Sequence, residues 1–191
     1  MTINQELINN YFSQVWSQRH RGLDKYQYSG YALIEKIRPG ESVIDVGCGE
    51  NLFRGHIPNL VGVDPAFDQA DRKMTLAEFV AQGAIQRFNV AFCLGSINFG
   101  TREDIENEIT LLMRLMHTRD SRIYWRCNPG AHDHGNEEFN SIPVYPWTVE
   151  DQWELAEKFG YEIRELEWDS NNRIYAEWVH KSGPSNTYLT T

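Results

Sequence analysis

The feature that most restricts this fold is an apolar run that ends on two glycines. Ser42-Val-Ile-Asp-Val46 leads directly into Gly47-Cys48-Gly49. The branched residues favour a buried strand. The glycines let the chain turn tightly and let a ligand come close to the main chain. A second apolar run, Leu60-Val-Gly-Val63, ends on Asp64, fifteen positions after Gly49. An acid at that place can accept hydrogen bonds from the two hydroxyls of a ribose. Together the two runs describe an adenosine-containing ligand lying across the edge of a sheet.

The rest of the chain repeats a strand–loop–helix rhythm. Residues 2–20 and 24–37 read as helices from their apolar spacing, and Arg38-Pro39-Gly40 ends the second. Strands are expected at Ser42–Val46, Leu60–Val63, Lys73–Leu76, Phe88–Leu94, Ser121–Cys127, Tyr161–Trp168 and Arg173–His180. Helices are expected at Ile105–His117 and Thr148–Phe159, the second opening with Thr148 as N-cap and Asp151 three residues on. Asp169–Asn172 reads as the turn of a hairpin. The expected fold class is α/β: a doubly wound, mostly parallel seven-stranded sheet. One antiparallel strand comes from the C-terminal hairpin, and helices cover both faces. Residues 1–180 are expected to form a single domain with a helical extension over 1–37, followed by a flexible polar tail, 181–191. Ligands of such sheets bind beyond the carboxyl ends of the strands.

The 191 residues carry 27 acids against 18 lysines and arginines, a net charge of −9. That field opposes capture of phosphate backbones, so nucleic acid is disfavoured as a partner. No apolar run is long enough to span a membrane. The N-terminus lacks the basic and apolar regions of a signal peptide. Cys48, Cys93 and Cys127 have no paired spacing and read as free thiols, so a cytoplasmic location is expected.

The loop chemistry narrows the ligand. A dinucleotide fingerprint needs a third glycine where Leu52 stands, and no nucleotide P-loop is present. Asp45 would repel a pyrophosphate but suits an amino-acid ammonium. S-adenosylmethionine (SAM) has an ammonium, a ribose and no phosphate. On Asp45-Val-Gly-Cys-Gly49 and Val61-Gly-Val-Asp64 the chain resembles the Rossmann-like (class I) SAM-dependent methyltransferases, and in its compactness the small stand-alone members from bacteria and phages. The resemblance implies SAM as cofactor. It implies that Gly47, Cys48 and Gly49 line the methionine part, that Asp45 faces the ammonium, and that Asp64 takes the ribose hydroxyls. The family's acid and apolar residue beside adenine fall nearest Glu78 and Phe79; a helix start with Phe79 in the core is the other reading. Two departures stand out. Asn51 replaces a frequent third glycine, and the segment 50–59 is short for a crossover helix.

Gly95, Ser96 and Asn98 are further cleft candidates, in a loop whose glycines also suit a plain tight turn. The chain lacks the Asp/Asn-Pro-Pro-Tyr/Phe string of base-methylating relatives at this place. His132, Asp133 and His134 lack a distant fourth ligand, so no metal site is assigned. His132 and His134 are instead the candidate catalytic bases, because imidazole titrates near neutral pH. The acceptor, a small molecule or a protein, is expected to enter between loops 95–101 and 128–147. Pro143-Val-Tyr-Pro-Trp147 reads as a hydrophobic staple before a substrate wall, and Trp125 and Trp168 as core. Arg114, Arg119, Arg122 and Arg126 read as a solvated basic face. The expected function is transfer of the SAM methyl group; the alternative is an inactive cofactor-binding subunit or sensor on the same fold.

Overall fold

The computed structural model describes residues 4–16, 31–83, 86–130 and 142–181. Its order is α1 (Gln5–Asn10), a π-helical turn (Tyr11–Trp16), α2 (Tyr31–Glu35), β1 (Val43–Val46), β2 (Leu60–Val63), α3 (Leu76–Ala81), β3 (Val90–Cys93), α4 (Arg102–Met113), β4 (Arg122–Cys127), α5 (Val149–Lys158), β5 (Tyr161–Trp168) and β6 (Ile174–His180). The strands form one sheet in the order β2-β1-β3-β4-β6-β5. The first four run parallel, and β6 pairs antiparallel with both β4 and β5. The strand order reverses direction at β1 and β3, which opens a crevice at the carboxyl ends of these strands.

The period of two along each strand sorts the core into two layers. Ile44 and Val46 of β1, Ala91 and Cys93 of β3, and Ile123 and Trp125 of β4 pack against α3, α4 and α5. Val43, Val90, Phe92 and Tyr124 face the other way, onto Leu33 of α2 and onto Phe53 and Ile57 of the β1–β2 connection. Asp45 shares the parity of Val43, so it points toward this second layer. A separate small cluster joins Ile8 and Tyr11 to Ile142, with Phe99 and Val144 beside it.

Six strands are present among the described residues, not seven. The expected strand at Lys73–Leu76 shrinks to one bridge between Arg72 and Val63. Two local bonds explain this. The Asp71 side chain takes the Gly62 N–H at 2.9 Å. Thr75 and Glu78 form a reciprocal capping box that starts α3 at Leu76. No length remains for a ladder. The same box opens α4 at Thr101 and Asp104, and α5 at Thr148 and Asp151. Segment 50–59 is a series of turns.

Trp168, expected in the core, is 52% exposed at the end of the outer strand β5. The basic face also dissolves. Arg114 and Arg119 are exposed, while Arg122 and Arg126 are buried on β4, paired with Glu41 and Asp169. All three cysteines are free thiols. Among the described residues, no helix is long and apolar enough to cross a membrane. The tail from 182 and the loop 131–141, with His132 and His134, lie outside the described residues.

Candidate functional site

β1 hands the chain to Gly47 at φ +68°, and Gly49 follows at φ +55°. Both are left-handed conformations that cost a side-chain-bearing residue about a kilocalorie or more. At Gly47 space is also short, since a Cβ would come within 2.4 Å of the Ser96 Cβ. Over Gly49 the space is open. Asn51 adopts φ +56°, the left-handed conformation its short polar side chain tolerates.

The main-chain N–H groups of this turn are already used. Gly47 and Cys48 donate to the Val63 carbonyl at 2.8 and 3.2 Å. Gly49 donates to Asp64 Oδ2 at 2.9 Å. The turn therefore supplies shape and open room rather than free donors.

Asp64 is tied down from both sides. Its Oδ1 accepts the N–H groups of Ala66 and Phe67 at 2.7 and 3.2 Å. Burial raises its pKa, and these backbone donors pull against the rise. A carboxylate has about four acceptor positions. Three are filled, so one on Oδ2 is open to a ribose hydroxyl. Asp45 is 3% exposed beneath the turn. Burial, with the Asp64 charge behind it, pushes its pKa up to about 8. A nearby cation would restore its ionised form.

A cavity of about 240 Å³ opens beside the turn. Gly47, Gly49 and Asp64 line one part, as do Gly95, Ser96 and Asn98 from the loop after β3. The Ser96 hydroxyl oxygen is buried without a hydrogen-bond partner. Neither Asp45 nor Cys48 lines the cavity: Asp45 is buried behind the turn rather than facing the room expected for the ammonium, and the Cys48 sulfur sits 2.8 Å from where a Cβ on Gly62 would stand. Burial pushes that thiol well up, which suits a packing role.

Glu78 and Phe79 also stand off the cavity. Glu78 is exposed and accepts the N–H and hydroxyl of Thr75 at 2.8 and 2.9 Å. Phe79 is 6% exposed in the core. The wall they were expected to form is made one turn earlier, by Met74, Thr75 and Leu76. Glu108 of α4 stands on the same cavity, its carboxyl pushed up by burial and by the charge of Asp104.

The loops after β3 and β4 do meet over the cavity, but their described parts are joined rather than parted. Asn98 Oδ1 accepts the Asn128 N–H at 3.0 Å. The Tyr145 N–H donates to the Asn98 carbonyl at 2.8 Å, and the Gly100 N–H to the Pro143 carbonyl at 2.7 Å. Trp147 is buried and donates its indole N–H to the Ile97 carbonyl at 3.0 Å. It packs with Trp125 as core, as the staple reading expects. The cavity extends instead beneath α1, where Gln5, Ile8, Asn9 and Phe12 contribute, and reaches Arg126, Asn128 and Arg173. Sequence reasoning missed this second half. The apolar spacing of residues 3–16 signalled a helix, but nothing local signalled what that helix covers.

No protein-family model matches the chain, and no curated protein matches it in sequence. Solved structures do resemble it. The magnesium protoporphyrin IX methyltransferase of Synechocystis, solved with bound SAM, aligns at a TM-score of 0.65 and 14% identity over 94% of this chain and 98% of that one. An O-methyltransferase family protein from Burkholderia thailandensis aligns at 0.55 and 12% identity over 80% of this chain and 55% of that one. The fold is therefore that of the class I SAM-dependent methyltransferases. Identities this low carry the fold and no more, so what the chain does rests on the residues of its own cavity.

Proposed function

We propose that the chain is a SAM-dependent methyltransferase acting on a small molecule. The observation that carries this reading is Asp64 beside the Gly47–Gly49 turn on one cavity wall, with open space over Gly49. The residues fit the cofactor on three counts. An ammonium at the turn would draw the Asp45 carboxyl, buried behind it, back toward its charged form. Asp64 keeps one acceptor position for a ribose hydroxyl. The unpartnered Ser96 hydroxyl is available to a polar group in the cavity.

SAM, when bound, supplies a methyl group on a positively charged sulfur that any sufficiently close nucleophile can displace. The protein's part is placement. Collinear alignment of nucleophile, methyl and sulfur at near-attack distance accounts for most of the acceleration such a reaction needs. Gly47 sets the floor against Ser96, Asp64 fixes the ribose side, and Met74 and Leu76 offer an apolar wall to a flat ring. α1 lines the cavity on its other side, and a ligand seated beneath it would displace water, which strengthens the interactions inside. Among the described residues no histidine lines the cavity. Where the acceptor must lose a proton, His132 and His134 are the proposed bases. The modest cavity supports a small acceptor over an extended polymer, and a cytoplasmic site of action accords with the free thiols.

Calorimetry tests the cofactor half. SAM and its demethylated product, SAH, should both bind with micromolar to submillimolar dissociation constants. Absence of heat with either ligand, on folded protein, would exclude the reading. Alanine at both His132 and His134 should lower turnover and leave SAH affinity within about 0.5 kcal/mol.

A further inference from the structure

The cavity has two electrically different ends. Asp64 and Glu108 are the acids on its wall among the described residues, and Asp64 stands beside the glycine turn at the cofactor end. Arg126 and Arg173 are the cationic residues on its wall among those described, and both stand at the other end. Asp64 follows β2 and Arg126 lies on β4, with β1 and β3 between them. Three inter-strand spacings place the two ends about 14 Å apart.

The arginines are built in. Arg126 is 9% exposed, and its Nε donates to Asp169 Oδ2 at 2.6 Å. The other oxygen of Asp169 accepts the N–H groups of Asn171 and Arg173 at 2.8 and 2.9 Å. One buried carboxylate thus ties the hairpin turn to β4 and sets the position of both arginines. Arg173 Nη1 donates to the Asn171 and Asn172 carbonyls at 3.2 and 3.3 Å, which pins its guanidinium to the turn. A buried ion pair adds little stability over an apolar pair of the same size. Its position on a cavity wall gives it a use in recognition. A guanidinium fork matches the geometry of carboxylate and phosphate oxygens. Ile8, Phe12 and Phe99 make the neighbouring wall apolar.

We propose that this end of the cavity binds a small organic anion, an aromatic or alkyl body carrying a carboxylate or phosphate that docks on Arg126 and Arg173. This is the acceptor class of the methyltransferase reading above, and it rests on that reading for its reaction but not for its binding. A cationic cofactor and an anionic acceptor would each face a wall of opposite charge. The net charge of −9 gives an anion no long-range help, so its selection is local.

The test is calorimetric titration of the SAH-saturated protein with benzoate, phenyl phosphate and the neutral benzyl alcohol. At least one anion should bind about tenfold or more tightly than the alcohol, the scale of a charge-assisted hydrogen bond. The stronger of the two anions identifies the group the site takes. Arg173→Gln should reduce that preference to about threefold or less, with SAH affinity within about twofold. Arg126→Lys, which keeps the charge beside Asp169 but loses the fork, should also lower it. The proposal is overturned if benzyl alcohol matches both anions, if none of the three binds, or if both variants keep the full preference. The same titration without SAH separates the two readings. Anion preference in a protein that fails to bind SAH would uphold this site and remove the methyltransferase assignment.

Discussion

Asp45 is held in the fold at a cost, and that cost has a pH signature. Its pKa stands at about 8 in the folded chain, and the ordinary value in the unfolded chain is 3.8. Between these values the folded state holds a proton that the unfolded state has released. Stability from this group is therefore greatest at low pH and falls as pH rises from about 4 to about 8. Asp45→Asn should flatten that slope and stabilise the ligand-free protein at pH 8 by about 1–3 kcal/mol, read by urea unfolding. The same change should weaken SAM binding about tenfold or more, because the ammonium loses its counter-charge. A steep slope retained in the variant would assign the titration to another group. Gly47 makes the opposite case, in which the wild-type residue is the stable one. Gly47→Ala combines a left-handed φ with a 2.4 Å clash onto Ser96. It should cost about 2–4 kcal/mol in the same unfolding measurement. Asp64 is a strut as well as the proposed ribose acceptor. Asp64→Ala should weaken SAH binding by about 1.5–3 kcal/mol, and three released backbone donors should lower stability as well.

Elements were legible where a local rule set them. The Thr148–Asp151 box and the hairpin turn rest on contacts within a few residues, which sequence spacing shows directly; the glycine turn and the acid after β2 bond across about fifteen positions and are legible through the residue types such a turn requires. The strand that the sequence predicts and the fold lacks fails on contacts of the same local kind. Lys73–Leu76 carries enough apolar character for a strand, but Asp71 already occupies the Gly62 N–H and Thr75 starts α3. Glu78 shows how this reaches the site. Its acid suits an adenine ring on sequence alone, but the capping box uses it one turn away from the cavity. Loop contacts across long sequence separations left no such trace. Asn98 holds the loop after β3 against Asn128 through a buried side-chain bond of 3.0 Å. Asn98→Ala should leave the Asn128 N–H without that acceptor, at about 1–3 kcal/mol in stability. SAH affinity should fall too, because Gly95 and Ser96 lose their anchor. Full stability in that variant would show that the Pro143–Tyr145 backbone bonds hold the loop unaided.

At the scale of the whole molecule, the cavity joins pieces that are far apart in sequence. Its cofactor half comes from residues 46–76 and 94–98, close to the motif that announced it. Its other half takes Phe12 from the N-terminal helical segment, Arg126 from a strand end and Arg173 from a hairpin. No local pattern links those three, so the sequence could not place them together. The packing separates the two halves further. Ile8 and Tyr11 belong to a cluster with Ile142, Phe99 and Val144, apart from the two clusters that sandwich the sheet. Removing residues 1–16 should then strip the cavity of one wall without opening the main core. The shortened chain should still unfold in one cooperative urea transition, with stability lower by about 2–4 kcal/mol for the lost contacts of Ile8 and Tyr11. SAH should bind more weakly but measurably, since Gly47, Gly49 and Asp64 remain. The anion preference should vanish with the apolar wall that holds the body of the ligand against Arg126 and Arg173. A truncated chain that kept the preference would place the anion on the arginines alone. One that lost its cooperative transition would make α1 part of the folding core rather than a cover for the site.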